Sequence, residues 1–199
     1  IHSPMQIAEE ACDIEINKLS SPIGKQDQYI SSLGGLTRFQ INRQGQVSAE
    51  PLKINPSTII DLEEHLLLFF TGFSRSANVL LKEQDDKTKS TKQSDKNEIL
   101  ANLKFTQQLG FEIGSAIEND NLDEFAKLMN VHWEYKKQRS KNMSSSQIDE
   151  WYALGLRNGA LGGKLIGAGG GGFLMFLADD KRRLRKTMRE AGLSDVPFR

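Results

Sequence analysis

Lys164-Leu165-Ile166-Gly167-Ala168-Gly169-Gly170-Gly171-Gly172-Phe173-Leu174-Met175-Phe176-Leu177-Ala178 decides the fold of this 199-residue chain. Only a backbone that enters left-handed φ/ψ space, or that something approaches closely, needs so many glycines in succession. The stretch matches the dinucleotide pattern Gly-x-Gly-x-x-Gly, but that pattern demands a helix opening at its last glycine. Here the glycines are followed by a continuous apolar run ending at Asp179-Asp180, which reads as a second buried strand. A nicotinamide-binding domain is therefore excluded by context. A strand-glycine-strand loop can still cradle phosphates through its amides, and a plain glycine-rich connection is the alternative.

Working outward, a strand at 162–167 precedes the loop, a strand at 173–178 follows it, and a helix at 180–191 leads to a last strand at Val196. Upstream, His65-Leu66-Leu67-Leu68-Phe69-Phe70 before Thr71-Gly72 predicts another buried strand. Lys82 to Asn97 lacks apolar side chains and predicts a mobile loop. After it, three consecutive helices are marked by Ile99 to Ile117, by Asn121 with Phe125, Leu128 and Trp133, and by Ser146 with Ile148 and Trp151. Nearer the start, Ser3-Pro4 with Gln6 is a capping box opening a helix near 4–19. A short helix holding Asp27 stops at Gly34-Gly35, and a hairpin follows over 36–42 and 46–54. The predicted class is α+β, an antiparallel sheet with helices on one face.

Bulk properties narrow the partners. Twenty-six basic and 26 acidic residues balance, so nucleic acid is not an expected partner. No apolar run approaches the ~20 residues of a membrane-spanning helix. Cys12 is the single cysteine, and no segment resembles a signal peptide, so the expected setting is reducing and cytoplasmic. The chain opens on Ile1 rather than methionine, which suggests a fragment. No metal-ligand cluster stands out. Trp133 and Trp151 are expected in the core, His132 as a packed or surface helix residue, and Lys181 to Lys186 as a solvated face.

Pro22-Ile23-Gly24-Lys25-Gln26-Asp27-Gln28-Tyr29, together with Lys164 to Phe173, resembles two segments of the GHMP superfamily of small-molecule kinases. With Thr71-Gly72-Phe73-Ser74-Arg75-Ser76-Ala77 and His132-Trp133-Glu134 before Lys136-Lys137, the wording is similar to D-glycero-D-manno-heptose 7-phosphate kinases. The resemblance implies a ferredoxin-like C-terminal domain over residues 60–199, preceded at 1–54 by the tail of a nucleotide-binding domain. It implies ATP-dependent phosphorylation of a sugar phosphate with Mg²⁺, in which Asp27 orients or deprotonates the acceptor hydroxyl and Lys25 keeps it ionised. Gly167, Ala168, Gly169, Gly170, Gly171 and Gly172 would lie beneath the phosphates, and Gly72, Ser74 and Arg75 would take the sugar phosphate.

The family's Gly-Leu-Gly-Ser-Ser type phosphate loop is absent from the 199 residues. The chain by itself is therefore expected to be inactive, and to form a homodimer or pair with the missing N-terminal part. Alternatives are a galactokinase- or fucokinase-like enzyme and a non-catalytic remnant that binds a sugar phosphate or a partner.

Overall fold

The computed structural model describes residues 2–72, 77–89 and 93–197. The chain divides into two compact units, Ile1–Lys53 and Ile54–Arg199.

In the first unit, α1 (Pro4–Cys12) begins with the capping box, Gln6 N donating to Ser3 Oγ at 3.2 Å and Ser3 N to Gln6 Oε1 at 2.7 Å. The helix continues as a π-helical segment over Asp13–Lys18. α2 (Gln26–Leu33) stops at Gly34, and β1 (Thr37–Ile41) pairs antiparallel with β2 (Val47–Pro51). Its core is small: Ala8, Cys12 and Tyr29 are buried, with Met5, Ile16, Phe39 and Val47 against them. Ile7 and Ile14 remain about half exposed, because the buried face of the helix is the one carrying Ala8 and Cys12.

The second unit opens with α3 (Pro56–His65), a helix beyond the sequence expectation, with proline at its first turn and Leu62 buried. β3 (Leu66–Phe70) follows. The segment expected to be a mobile loop is instead helical, in α4 (Ala77–Thr88) and the start of α5 (Gln93–Glu118). Lysine, glutamate and glutamine are good helix formers without being apolar. Ion pairs one turn apart, Lys87–Glu83 at 3.3 Å and Lys89–Asp85 at 2.6 Å, support α4, and Leu80 and Ile99 anchor the two helices in the interior.

Then come α6 (Leu122–Lys137), α7 (Ser146–Arg157), β4 (Ala160–Ile166), β5 (Phe173–Ala178), α8 (Lys181–Glu190) and β6 (Ser194–Val196). Asn121 caps α6, Asp180 caps α8, and Ser145, one residue before the expected Ser146, caps α7. The four strands lie in the order β4-β5-β3-β6, every pair antiparallel, so the α+β class stands. β3 is flanked on both sides, which explains its unbroken apolar run.

Alternate strand residues bury into two clusters. Leu67, Phe69, Leu165, Leu174 and Phe176 pack with residues of α7 and α8 on one face. Leu66, Met175 and Leu177 pack toward α3, α5 and part of α6, adding helices to the opposite face.

α6 also covers the open edge of β4. Asn130 Oδ1 accepts from Gly163 N at 2.9 Å, and its Nδ2 donates to Leu161 O at 3.3 Å. An exposed edge invites pairing with another chain, and this one is answered by side chains. The approach requires glycine: a Cβ on Gly162 would lie 2.0 Å from Ala126 O. Among the described residues, no helix is long and apolar enough to cross a membrane.

Candidate functional site

Asp27 stands in the first turn of α2, exposed to solvent. Among the described residues its carboxylate takes no hydrogen bond or ion pair; its backbone carbonyl accepts the Ser31 hydroxyl at 2.7 Å. An acid in a first helical turn is favoured by the helix dipole. Lys25, expected beside it, is engaged elsewhere. Its ammonium donates to Gly45 O at 2.8 Å and pairs with Glu9 at 3.3 Å. Glu9 also accepts from the Tyr29 hydroxyl, and that bond, followed by Lys25, holds its carboxyl below the usual range. Glu9, Lys25 and Tyr29 thus tie α1, α2 and the hairpin turn together around the segment that presents Asp27.

In the second unit, Gly167, Gly169, Gly170 and Gly172 have φ of 88°, 112°, 72° and 101°. Side chains would be strained at each of them, which is why the sequence is so uniform. The far half of the loop is packed: Gly169, Gly170 and Gly171 are buried, and Gly170 N donates to Met143 O at 2.9 Å. A Cβ on Gly169 would lie 2.2 Å from Sδ of the fully buried Met143. Gly167 is exposed and Ala168 half-buried, so the near half faces outward. Thr71 N and Oγ1 both donate to Gly172 O at 2.9 Å, which brings Gly72 to the end of the loop. Ser74 and Arg75 lie outside the described residues.

Sequence reasoning passed over the charged groups beside this loop. Lys136 is 8% exposed, and its ammonium donates to Gly167 O at 2.5 Å and Leu165 O at 3.4 Å. Burial, then Lys164 and Arg139, push it down to about 7. Lys164 falls to about 8, through burial and then Arg139. Half-buried His132 falls to about 3, chiefly through burial, and is neutral at physiological pH, in keeping with a packed helix residue. The spacing of 132 and 136 puts both on one face of a helix; which face is buried was not legible from it.

The turn after α6 is fastened from α4. Ser140 Oγ donates to Glu83 at 2.7 Å and Lys87 to Arg139 O at 2.8 Å. The same turn supplies Met143, so α4, the turn and the glycine loop form one connected series of contacts.

Residues 115–192 match the model of the GHMP kinases C-terminal domain. The chain is 29% identical over 187 residues to D-glycero-alpha-D-manno-heptose 7-phosphate kinase of Campylobacter jejuni, covering 93% of the chain and 53% of that protein. It is 29% identical over 182 residues to the bifunctional fucokinase/GDP-fucose pyrophosphorylase of Arabidopsis thaliana, covering 87% of the chain and 16% of that protein. Among solved structures, a putative sugar kinase from Campylobacter jejuni superposes with a TM-score of 0.69 at 26% identity, over 98% of the chain and 54% of its own length. Phosphomevalonate kinase of Streptococcus pneumoniae, at 11% identity, shares the fold with a TM-score of 0.74, over 100% of the chain and 62% of its own length. The chain thus spans about half the length of the Campylobacter relatives. The glycine loop and the strands β4 and β5 thus lie within residues 115–192, the part of the chain that is similar to the C-terminal domain of the GHMP kinases.

Proposed function

We propose that this chain is the C-terminal part of an ATP-dependent kinase that phosphorylates a hydroxyl of a sugar phosphate, D-glycero-D-manno-heptose 7-phosphate being the favoured acceptor. The observation that carries the reading is the similarity to the Campylobacter heptose 7-phosphate kinase over 93% of the chain. Residues 1–54 act in this reading as the tail of the nucleotide-binding domain, and residues 60–199 as the C-terminal domain.

Phosphoryl transfer asks little covalent chemistry of a protein; it asks for position and for charge neutralisation. Asp27, exposed and unpaired, is the group that orients the acceptor hydroxyl and takes its proton. Lys25 holds the Asp27 segment through Glu9 and Gly45 O, and so acts by positioning. The exposed near half of the glycine loop offers backbone without side chains to the phosphates. Gly72, beside that loop, is assigned to the sugar phosphate in this reading, and the roles of Ser74 and Arg75 are proposed from the resemblance alone. Among the described residues no three His, Cys, Asp or Glu side chains are grouped for a metal, so we read Mg²⁺ as arriving with ATP, as the MgATP substrate.

The 199 residues contain no Gly-Leu-Gly-Ser-Ser type segment to wrap the triphosphate. We therefore expect turnover only when the chain is joined to, or mixed with, the N-terminal part that its relatives possess.

Asp27→Asn in the complete enzyme is the test. A positioned base supplies about 10²–10⁴-fold, so kcat should fall by that factor while ATP affinity changes only a few-fold. Retention of more than about half the parental rate would remove Asp27 from the role of base. L-Fucose belongs in the assay as a second acceptor, because the similarity to the Arabidopsis fucokinase favours it next.

A further inference from the structure

His132 and Lys136 stand at positions i and i+4 of α6, on one face of that helix, and Arg139 follows in the turn just beyond its C-terminus. The end of α6 and the turn after it meet α5. Arg139 Nε donates to Asn102 Oδ1 at 2.9 Å and its Nη2 to Thr106 Oγ1 at 2.6 Å, while Tyr135, on the same side, stacks on Phe105 with centroids 3.9 Å apart.

Lys164 reaches the same place from the sheet. It lies opposite Met175 in the β4–β5 ladder, and hence on the face that packs toward α5 and α6. Lys136 completes the junction by bonding the carbonyls of Leu165 and Gly167, the residues that lead from β4 into the glycine loop.

Four basic side chains therefore meet where α5, α6 and β4 join. Beyond the effect of burial, Lys164, Lys136 and Arg139 depress the proton affinity of His132; Lys164 and Arg139 depress that of Lys136; and Arg139 depresses that of Lys164. Among the described residues none is ion-paired to a carboxylate. Lys164 has no hydrogen-bond partner there, and the His132 Nδ1 atom is buried without one. Gathering positive charge in a half-buried place without a counter-charge is costly, and a structure that maintains it gains when an anion arrives. A phosphate offers several acceptor oxygens and up to two negative charges, which suits convergent ammonium, guanidinium and imidazole donors. Lys136 and Arg139 each retain donors beyond those bonded to the protein.

We propose that the junction of α5, α6 and β4 is a phosphate-binding site, with Lys164 and His132 as direct donors and Lys136 and Arg139 as its charged walls, at the outward-facing edge of the glycine loop. The inference deepens the kinase reading and rests on it for the owner of the phosphate, which is either the phosphorylated sugar or the nucleotide.

Thermal melting of the full chain, in a phosphate-free buffer at constant ionic strength, provides the test, with inorganic phosphate titrated against chloride. Wild type should be stabilised at low-millimolar phosphate. Lys164→Met should weaken the apparent affinity about tenfold or more, the size of a lost charge-assisted contact. It should also melt no lower than wild type without phosphate, because it removes an unpaired charge and no contact, and Lys164→Arg should restore much of the response. Arg182→Gln, on the exposed run of α8, should behave as wild type. An equal phosphate response in Lys164→Met, or no response of wild type beyond chloride, would overturn the proposal.

Stabilisation by heptose 7-phosphate but not by heptose supports the site and gives the phosphate to the acceptor; stabilisation by ADP supports it and gives the phosphate to the nucleotide. Phosphate binding in a protein whose complete form transfers nothing would sink the kinase reading and leave the site standing. Turnover without any Lys164-dependent phosphate binding would do the reverse.

Discussion

Replacing Lys136 by methionine should remove a pH dependence of stability that the wild-type chain displays. Lys136 is 8% exposed, and burial, reinforced by Lys164 and Arg139, lowers it from 10.5 to about 7 in the folded chain. Between those values the unfolded chain holds a proton that the folded chain has released. Stability therefore rises with pH in that window, by about 1.4 kcal/mol per pH unit for one proton. The cost of burying the charged form is fully present below pH 7 and is relieved as pH climbs toward 10.5. Over pH 7.5–9.5 the single lysine should contribute about 2–3 kcal/mol to the increase.

Lys136→Met also loses the bonds to Leu165 O and Gly167 O, but that loss acts alike at every pH and drops out of the slope. Lys164, lowered to about 8, contributes a similar slope to both proteins and cancels in the comparison. Urea unfolding followed by the fluorescence of Trp133 and Trp151, both in the second unit, gives the two slopes directly. Parallel slopes for wild type and variant would show that Lys136 keeps its ordinary proton affinity, and the account of the buried basic group would fall with it.

Gly162→Ala should destabilise the second unit by about 2–3 kcal/mol, because a methyl placed 2.0 Å from the backbone oxygen of Ala126 forces α6 off the edge of β4; unchanged urea unfolding would refute that packing. Gly110→Ala should do the opposite, raising stability by roughly 0.5–1 kcal/mol, since Gly110 lies inside α5 with nothing within 4 Å of a new Cβ. A lower melting temperature for Gly110→Ala would contradict the open surface there. Arg75→Ala in the complete enzyme should raise KM for a phosphorylated sugar about 10–150-fold and leave KM for ATP nearly unchanged, the signature of a lost phosphate contact. An equal rise for an unphosphorylated sugar would assign Arg75 another task.

The parts of this fold that could be read from the sequence are those where a residue type has few physical uses. Repeated glycines from 167 to 172 could only be a loop of left-handed backbone, and four of them have φ between 72° and 112°. Leu66 to Phe70, too short and too apolar for an exposed helix, is the strand flanked by β5 and β6. Ser3, Pro4 and Gln6 announced the start of α1 because caps act locally.

Lys82 to Asn97 misled because apolar content measures what a segment can bury, not whether it is helical. Helix propensity, Leu80 at one end, Ile99 beyond the other and the ties to Arg139 and Ser140 decide it instead. α3 went unread for a related reason: its ten residues bury only Thr58 and Leu62, too few for a clear period.

Of the candidate site, Asp27 and the glycine loop were accessible through resemblance, whereas the basic junction was not. A lysine at 136 or 164 looks like any surface lysine until the packing of α6 on β4 decides which way it points.

The kinase account is tested most directly by supplying the complete enzyme with ATP and Mg²⁺ and measuring ADP release across heptose 7-phosphate, heptose, L-fucose and D-galactose. The account predicts ADP formed in step with a doubly phosphorylated heptose, at a kcat/KM for heptose 7-phosphate well above that for any unphosphorylated sugar. Efficient turnover of an unphosphorylated sugar with none of heptose 7-phosphate would contradict the acceptor assignment, and no ADP release with any acceptor would contradict the kinase itself.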